Sequence, residues 1–171
     1  MYKIFINITQ VFFILCIAGC GFRPVYTATT DTGHNIYVRD SLAQIEISTI
    51  PDKIGVDLRN NLMDKIYQAG SPANPMYRLD VKVKDLKIVE TGIARDATTI
   101  REQLKLLVSA KLINIKTGEA IFDRDFSSIT NYNILASEYA TIIAREDAQT
   151  RAVNQIGDDI VTRLTLYLSG S

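Results

Sequence analysis

The residue in this sequence with the most specific chemistry is Cys20, which follows the small residues Ala18 and Gly19. A thioether can be made on such a thiol, and small residues before it let a peptidase reach the adjacent bond. A positively charged N-terminus and the apolar run 4–17 precede it, which is typical of a secretory signal and too short for a comfortable transmembrane helix. The pattern predicts a bacterial lipobox, with residues 1–19 as the signal peptide and Cys20 as the lipid-attachment site. The alternative is a plain secretory signal with a chance cysteine.

Lipidation at Cys20 would anchor the chain to a membrane surface. Bacterial lipoproteins carry three acyl chains, and two or more chains hold a protein stably, at about 0.8 kcal/mol per buried methylene. Gly21 stands where an aspartate would be the inner-membrane retention signal known from enteric lipoproteins. We therefore expect a lipid-anchored protein of the outer membrane. Residues 20–42, which are polar and without an apolar period, form the predicted tether, and residues 43–171 form a single folded domain.

The composition excludes several other kinds of chemistry. Cys16 lies in the predicted signal peptide and Cys20 is predicted to be lipidated, so neither a disulfide framework nor a thiol nucleophile remains. His34 is the only histidine, which argues against histidine metal clusters and Ser-His-Asp catalysis. Removal of residues 1–19 leaves 18 basic and 19 acidic residues, and such a near-neutral domain is a poor candidate for nucleic-acid binding. We predict no metal and no cofactor.

Two acidic pairs are the only support for a periplasmic hydrolase. Asp123 and Asp125 are two residues apart on a predicted strand, so both carboxylates would point to one face, as two catalytic carboxylates could. They lie beside Arg124 and a hairpin, and the second pair, Asp158 and Asp159, lies on the polar side of a predicted helix. Solvated surface explains both pairs better, and we predict no catalytic residue.

The hydrophobic pattern predicts the elements that must position these side chains. Alternating apolar and polar residues indicate a half-buried strand over residues 43–49. Asp52 is a suitable N-cap for an amphipathic helix whose apolar residues recur every four positions, and Gly70 supplies its C-terminal stop. A second strand begins at Tyr77. Its apolar phase flips near Asp85, which predicts a β-bulge there.

The next predicted elements form a hairpin. A connecting loop over residues 92–96 is followed by a long strand, in which alternate residues of 104–112 form an apolar face. Residues 116–119 form a tight turn with Gly118 at positive φ. A fourth strand then returns through Ala120 and Phe126, and it is predicted to give way to turn residues near 131–133.

The last predicted element is a helix of about 30 residues that follows the N-cap Ser137. Its apolar stripe runs from Ala148 to Leu168, and the small residues early in the stripe would let it lie close on a sheet. Arg145 and its two acidic neighbours are predicted to be a solvated face. The element order predicts an α+β fold: a four-stranded, mostly antiparallel sheet with two helices packed on it, in the order strand, helix, three strands, helix.

A resemblance is carried by residues 19–26, which read Gly-Cys-Gly-Phe-Arg-Pro-Val-Tyr. They resemble the start of mature LPS-assembly lipoproteins of the LptE family, whose alphaproteobacterial branch has a Gly-Phe-x-Pro-aliphatic-Tyr pattern after the cysteine. The element order and the closing helix are also similar to that family. The resemblance implies a periplasm-facing lipoprotein of the outer membrane that plugs the barrel of the LPS translocon LptD, helps that barrel assemble and contacts lipopolysaccharide. It identifies no binding residue.

An auxiliary lipoprotein of an envelope lipid-transport ABC system would share the anchor and the fold class. Fold class alone does not separate it from the LptE family. The start at residues 19–26 favours LptE. Co-purification of a barrel protein or of an ABC subunit would distinguish the two.

Four lysines are the candidates for lipopolysaccharide binding. Lys82, Lys84, Lys105 and Lys111 are predicted on the second face of the sheet, among apolar residues and away from the helices. They could meet the phosphates of lipid A while their apolar neighbours face acyl chains or the barrel wall. The alternative is that strand lysines only protect the sheet from edge-to-edge pairing.

Overall fold

The chain folds in the predicted order of strand, helix, three strands and helix. A computed structural model describes residues 41–67, 70–93 and 100–170. The predicted signal peptide, Cys20 and almost all of the predicted tether lie outside the described residues. The elements are β1 (Ile45–Ile47), α1 (Lys53–Ile66), β2 (Tyr77–Ile93), β3 (Ile100–Asn114), β4 (Ala120–Ile134) and α2 (Glu138–Ser169).

The four strands form one mixed sheet in the order β1-β2-β3-β4. β1 runs parallel to β2, and the other two pairs are antiparallel. A parallel pair needs a crossover, and α1 supplies it. The α+β class and the mostly antiparallel sheet are therefore confirmed.

The core lies between one face of the sheet and the two helices. Alternate residues of β3 are fully buried, and they are those that the strand pattern predicted: Leu104, Leu106, Val108, Ala110 and Leu112. The predicted stripe of α2 is buried as well. Its fully buried members are Ala148, Ala152, Ile156, Ile160 and Leu164. The alternate residues of β3 and the residues spaced about four apart on α2 belong to one buried cluster. The helix therefore covers that face of the sheet.

The small residues of α2 bring the helix close to β4. Thr130 Oγ1 donates a hydrogen bond of 2.9 Å to the backbone carbonyl of Ala148. The predicted N-cap is also correct, because Ser137 Oγ accepts from the backbone N–H of Ala140 at 3.4 Å. Gly157, which the pattern did not single out, is buried beside α1, where an added Cβ would collide with the Asn61 side chain. The glycine lets the two helices approach each other.

The predicted ends of the first strand and helix are wrong. β1 has three residues, and residues 41–43 are helical. α1 ends at Ile66, four residues before Gly70, because Tyr67 adopts an extended conformation. The Tyr67 hydroxyl then accepts from the backbone N–H of Ile47 at 3.1 Å and donates to the carbonyl of Ile45 at 2.9 Å. This tyrosine therefore supplies hydrogen-bond partners for two backbone groups of the three-residue strand β1.

Asp52 occupies the predicted N-cap position, but its side chain makes no capping hydrogen bond and its φ is 67°. The bulge in β2 is confirmed by a register shift between Val83 and Asp85. Gly118 has the predicted positive φ, at 71°. The loop predicted over residues 92–96 begins too early, because Gly92 still lies in β2, opposite Arg101.

The turn predicted near residues 131–133 is wrong, because these residues still belong to the fourth strand. The strand continues to Ile134 and pairs with β3 over nearly its whole length. Residues 127–134 are mostly polar, so alternating apolar residues no longer indicate a strand there, although backbone pairing with β3 continues. Ladder pairing with β3 therefore extends the strand where the side-chain pattern stops indicating one.

Candidate functional site

The four candidate lysines all lie on the sheet face opposite the helices. Lys105 and Lys111 occupy β3 positions that alternate with its buried residues, so they point away from the core. Lys82 lies opposite Ser109, another residue of that alternation. Lys84 lies in the bulge of β2 and reaches across β3 to β4. We call the outer sheet face that carries these residues the lysine face.

Two of the four lysines are paired with the acidic residues of β4. Lys84 Nζ contacts both carboxylate oxygens of Asp125, at 2.7 and 2.9 Å. Lys111 Nζ lies 2.7 Å from Asp123 Oδ2, and this bond raises the pKa of Lys111. Asp123 and Asp125 do share one strand face, as the spacing predicted. There each acid forms an ion pair with a lysine.

The other two lysines are the cations of this set that remain without an acidic partner. Within the part of the chain that the structure describes, neither Lys82 nor Lys105 has a carboxylate within 4.0 Å, and both are exposed. Ser109, opposite Lys82, is four residues from Lys105 along β3, so the two lysines are separated by about 13 Å along the strands. They cannot grip one phosphate together, but they can meet two anionic groups spaced along one surface.

A polar cluster joins the start of α2 to the sheet. The Tyr132 hydroxyl donates to Glu102 Oε2 and accepts from Arg145 Nε at 2.9 Å. The guanidinium also lies 5.9 Å from the centre of the Tyr132 ring. Burial raises the pKa of Tyr132, with a further rise from the bond to Glu102. Glu146 and Asp147 are exposed, as predicted for a solvated face. The Arg145 side chain is 44% exposed as well, but its guanidinium also bonds a buried tyrosine and lies beside a carboxylate, which the sequence did not indicate.

We expect replacement of Tyr132 by Phe to lower the free energy of unfolding by about 1–3 kcal/mol, because Glu102 and Arg145 would lose their shared hydroxyl. Urea denaturation measures this loss. Tyr139→Phe is the matched control, since that side chain is 73% exposed, and it should change stability by less than about 0.5 kcal/mol. Equal stabilities of the two variants would show that the cluster does not hold α2.

A groove lies between β4 and the C-terminal half of α2, and it has a volume of about 780 Å³. The sequence pattern does not indicate this groove, because its residues come from two elements far apart in the chain. Its lining includes Phe122, Arg124 and Phe126 from β4 and Arg163 and Tyr167 from α2. The feature of the sequence that could have indicated the groove is Arg124, because it is a charged residue on the same strand face as the two buried phenylalanines.

The remaining chemistry of the described residues is limited. No group of three or more His, Cys, Asp or Glu side chains among residues 41–67, 70–93 and 100–170 could hold a metal ion. Over the same residues, neither α1 nor α2 is both long and apolar enough to cross a membrane. Asp158 is held at 2.6 Å by Lys65 of α1, and Asp159 lines the groove. The second acidic pair is thus split between two surroundings.

Comparison with known proteins extends these observations. An uncharacterized protein of Rickettsia prowazekii (strain Madrid E), RP188, is 27% identical over 157 residues, which cover 90% of this chain and 93% of that protein. A lipoprotein structure from Caulobacter crescentus CB15 has a TM-score of 0.65 at 23% identity, and it covers 81% of this chain and 100% of that one. An uncharacterized lipoprotein B from Nitrosomonas europaea has a TM-score of 0.50 at 12% identity and covers 72% and 82% of the two chains. The two solved structures show the same fold.

The family of this chain is shown by a match to a family model. The sequence model of the LptE family, described as lipopolysaccharide-assembly, matches residues 42–164. This range runs from just before β1 to the last fully buried residue of α2, so it includes the whole sheet and the core. The match therefore confirms the resemblance seen at residues 19–26, on a part of the chain that does not overlap them. The chain belongs to the LptE lipopolysaccharide-assembly family.

Proposed function

We propose that this chain is an outer-membrane lipoprotein that plugs an LptD-type β-barrel, helps it assemble and aids the insertion of lipopolysaccharide into the outer membrane. The single observation that carries the proposal is the LptE family match across the folded region. In this proposal the Cys20 thiol receives its thioether-linked lipid before residues 1–19 are removed, and the lipidated cysteine then holds the domain on the periplasmic side. The role is one of binding and assembly, without catalysis.

The ion pairs support a binding role over a hydrolytic one. Asp123 and Asp125 are engaged by Lys111 and Lys84, which lowers their availability as a general acid and a general base. The same pairs neutralise half of the candidate lysines. Of the four, Lys82 and Lys105 are therefore the better candidates for phosphates of lipid A, and Lys84 and Lys111 contribute less.

Reversal of these two charges tests the lysine face. We expect Lys82→Glu combined with Lys105→Glu to weaken lipopolysaccharide binding at low salt by about tenfold or more, because each basic residue near an anionic surface contributes about 1 kcal/mol. The difference should shrink as salt rises. Binding of fluorescent lipopolysaccharide to the purified protein measures the effect.

The control for this variant carries the same change in net charge elsewhere. Lys53 begins α1 and Lys116 lies in the turn before β4, and both are exposed. Lys53→Glu with Lys116→Glu should leave binding within about twofold. If the two double variants bind equally, and circular dichroism shows both folded, Lys82 and Lys105 are ordinary surface residues and the lysine face is not the binding site.

Depletion in the bacterium that encodes the chain tests the assembly role. We expect loss of the protein to lower the amount of folded LptD-type barrel and the amount of lipopolysaccharide at the cell surface. The heat-modifiable mobility of the barrel on a gel and surface labelling of lipopolysaccharide measure the two. Unchanged barrel and lipopolysaccharide, with defects confined to an ABC lipid transporter, would support an auxiliary lipoprotein instead.

A further inference from the structure

The groove beside β4 combines an aromatic lining with the guanidiniums of two arginines. The rings of Phe122 and Tyr167 meet edge to face, with centres 5.6 Å apart and planes at 62°. Phe126 lines the groove farther along β4. Arg124 and Arg163 also line it, and among the described residues neither has a carboxylate within salt-bridge distance. The groove is therefore partly apolar and carries unpaired positive charge.

One wall of this groove is an open sheet edge. β4 is the last strand of the sheet, so among residues 41–67, 70–93 and 100–170 only β3 pairs with it. The backbone carbonyl of Asn131 accepts a hydrogen bond of 3.0 Å from the Arg151 guanidinium of α2. The backbone groups of Asn131 therefore point away from β3. Past the bulge near Ile121, backbone groups alternate along the strand, so the outward groups belong to the odd-numbered residues. They are Asp123, Asp125, Ser127 and Ile129.

These outward N–H and C=O groups form no hydrogen bond with any other residue that the structure describes. A row of unpaired backbone groups is a template for another strand. Proteins often protect such an edge with charge, and β4 carries Asp123 and Asp125 there. Both acids are already held by Lys111 and Lys84, however, so their repulsion toward an incoming strand is reduced.

We propose that the β4 edge takes up an extended, acidic segment of a partner protein as a fifth strand. In this mode of recognition, backbone hydrogen bonds give affinity and alternate side chains enter pockets beside the edge. Side chains on the groove face of the new strand would meet Phe122, Phe126 and the two arginines. An acidic residue there would pair with Arg124 and Arg163, and apolar neighbours would cover the rings. This inference goes beyond the proposed function and does not depend on it.

Charge distinguishes this occupant from a second copy of the chain. Pairing of two β4 edges would continue one sheet through both copies and bring Arg124 and Arg163 of each onto the same face. Like charges so placed are destabilising. Asp159 is the only groove acid outside an ion pair among the described residues, so the unpaired charge of the groove stays positive. A segment that brings its own carboxylate fits better.

A labelled peptide tests the proposal. The probe is a fluorescein-labelled peptide of about eight residues, the length of a strand, in which valines alternate with threonines and one central valine is replaced by glutamate. We expect the acylated full-length protein in detergent to bind it saturably below about 1 mM, as measured by fluorescence anisotropy. N-methylation of alternate backbone amides keeps the side chains but removes their donors, and it should weaken binding by about tenfold or more.

Two protein variants separate the backbone from the charges. Ser127→Pro removes an outward N–H that β3 does not use, so the fold should remain while peptide binding falls. Arg124→Glu with Arg163→Glu should reverse the preference, so that a peptide with lysine in place of the glutamate binds about two- to fivefold more tightly than the original. Lys53→Glu with Lys116→Glu is the control of equal charge change, and it should keep the preference for glutamate.

Several results would overturn the proposal. These are absence of binding by the folded wild type up to about 1 mM peptide, equal binding of the N-methylated peptide, and an unchanged preference in the reversed variant. Arginine-dependent binding of dodecyl phosphate without peptide binding would assign the groove to a lipid. A concentration-dependent dimer that Ser127→Pro dissociates would assign the edge to a second copy.

Discussion

We expect replacement of Ile160 by Ala to lower the free energy of unfolding by about 2–5 kcal/mol. The side chain is fully buried in the C-terminal half of α2, so truncation removes apolar contacts and leaves a cavity between helix and sheet. Because a domain of this size is stabilised by only about 5–15 kcal/mol in total, the loss would be a large fraction of its stability. Urea denaturation followed by circular dichroism measures the change.

The neighbouring residue is the control for this variant. Asp159 is exposed and makes no ion pair among the described residues, so Asp159→Ala should change stability by less than about 0.5 kcal/mol. The two substitutions differ by one position and therefore by about 100° around the helix. Similar losses from both would show that the buried stripe of α2 has been assigned to the wrong side.

We expect Cys20→Ala to abolish membrane anchoring, because no other thiol remains after the predicted cleavage. The variant should stay as an uncleaved precursor or leave the outer-membrane fraction, since all the acyl chains that hold the domain are lost together. Cell fractionation and mass spectrometry of the N-terminal peptide measure this.

Cys16→Ala is the matched control for that variant. It removes the other cysteine of the chain, which lies inside the predicted signal peptide, and it should be processed and anchored normally. An unmodified N-terminal peptide that begins at a residue other than Cys20 in the wild-type protein would contradict the lipobox assignment.

The core could be predicted from the sequence because both of its patterns are strong. The alternate residues of β3 and the stripe of α2 are apolar without interruption. Over segments this long, a period of two indicates a strand and a period near four indicates a helix. Gly118 was predictable for a local reason, since a tight hairpin turn needs a positive φ there. The bulge near Asp85 followed from the one-residue phase flip.

The element ends could not be predicted, because tertiary contacts determine them. α1 ends at Ile66 since Tyr67 turns away to bond the backbone of β1, and no local pattern reveals that partner. β4 continues to Ile134 because β3 offers a ladder along its length. In the sequence, Gly157 is a residue with low helix propensity. Only the structure shows that α1 packs against it and leaves no room for a side chain.

The candidate sites show the same division. Strand alternation correctly placed the four lysines on one face, but it did not reveal that Asp125 takes Lys84 from two strands away. The two acids seemed to be a separate pair in the sequence, and in the structure they bind the lysines. Arg124 and Arg163 are 39 positions apart in number, so only the fold places them in one groove.

Co-purification tests the central claim most directly. The acylated wild-type protein, captured through a C-terminal tag from detergent-solubilised outer membranes, should bring down an LptD-type barrel in a constant ratio, and the barrel identified by mass spectrometry should be the major partner. Cys16→Ala, a substitution that lies in the predicted signal peptide and should leave anchoring normal, should retain this partner in full. Recovery of ABC-transporter subunits in its place, or of no barrel from membranes that contain one, would contradict the account.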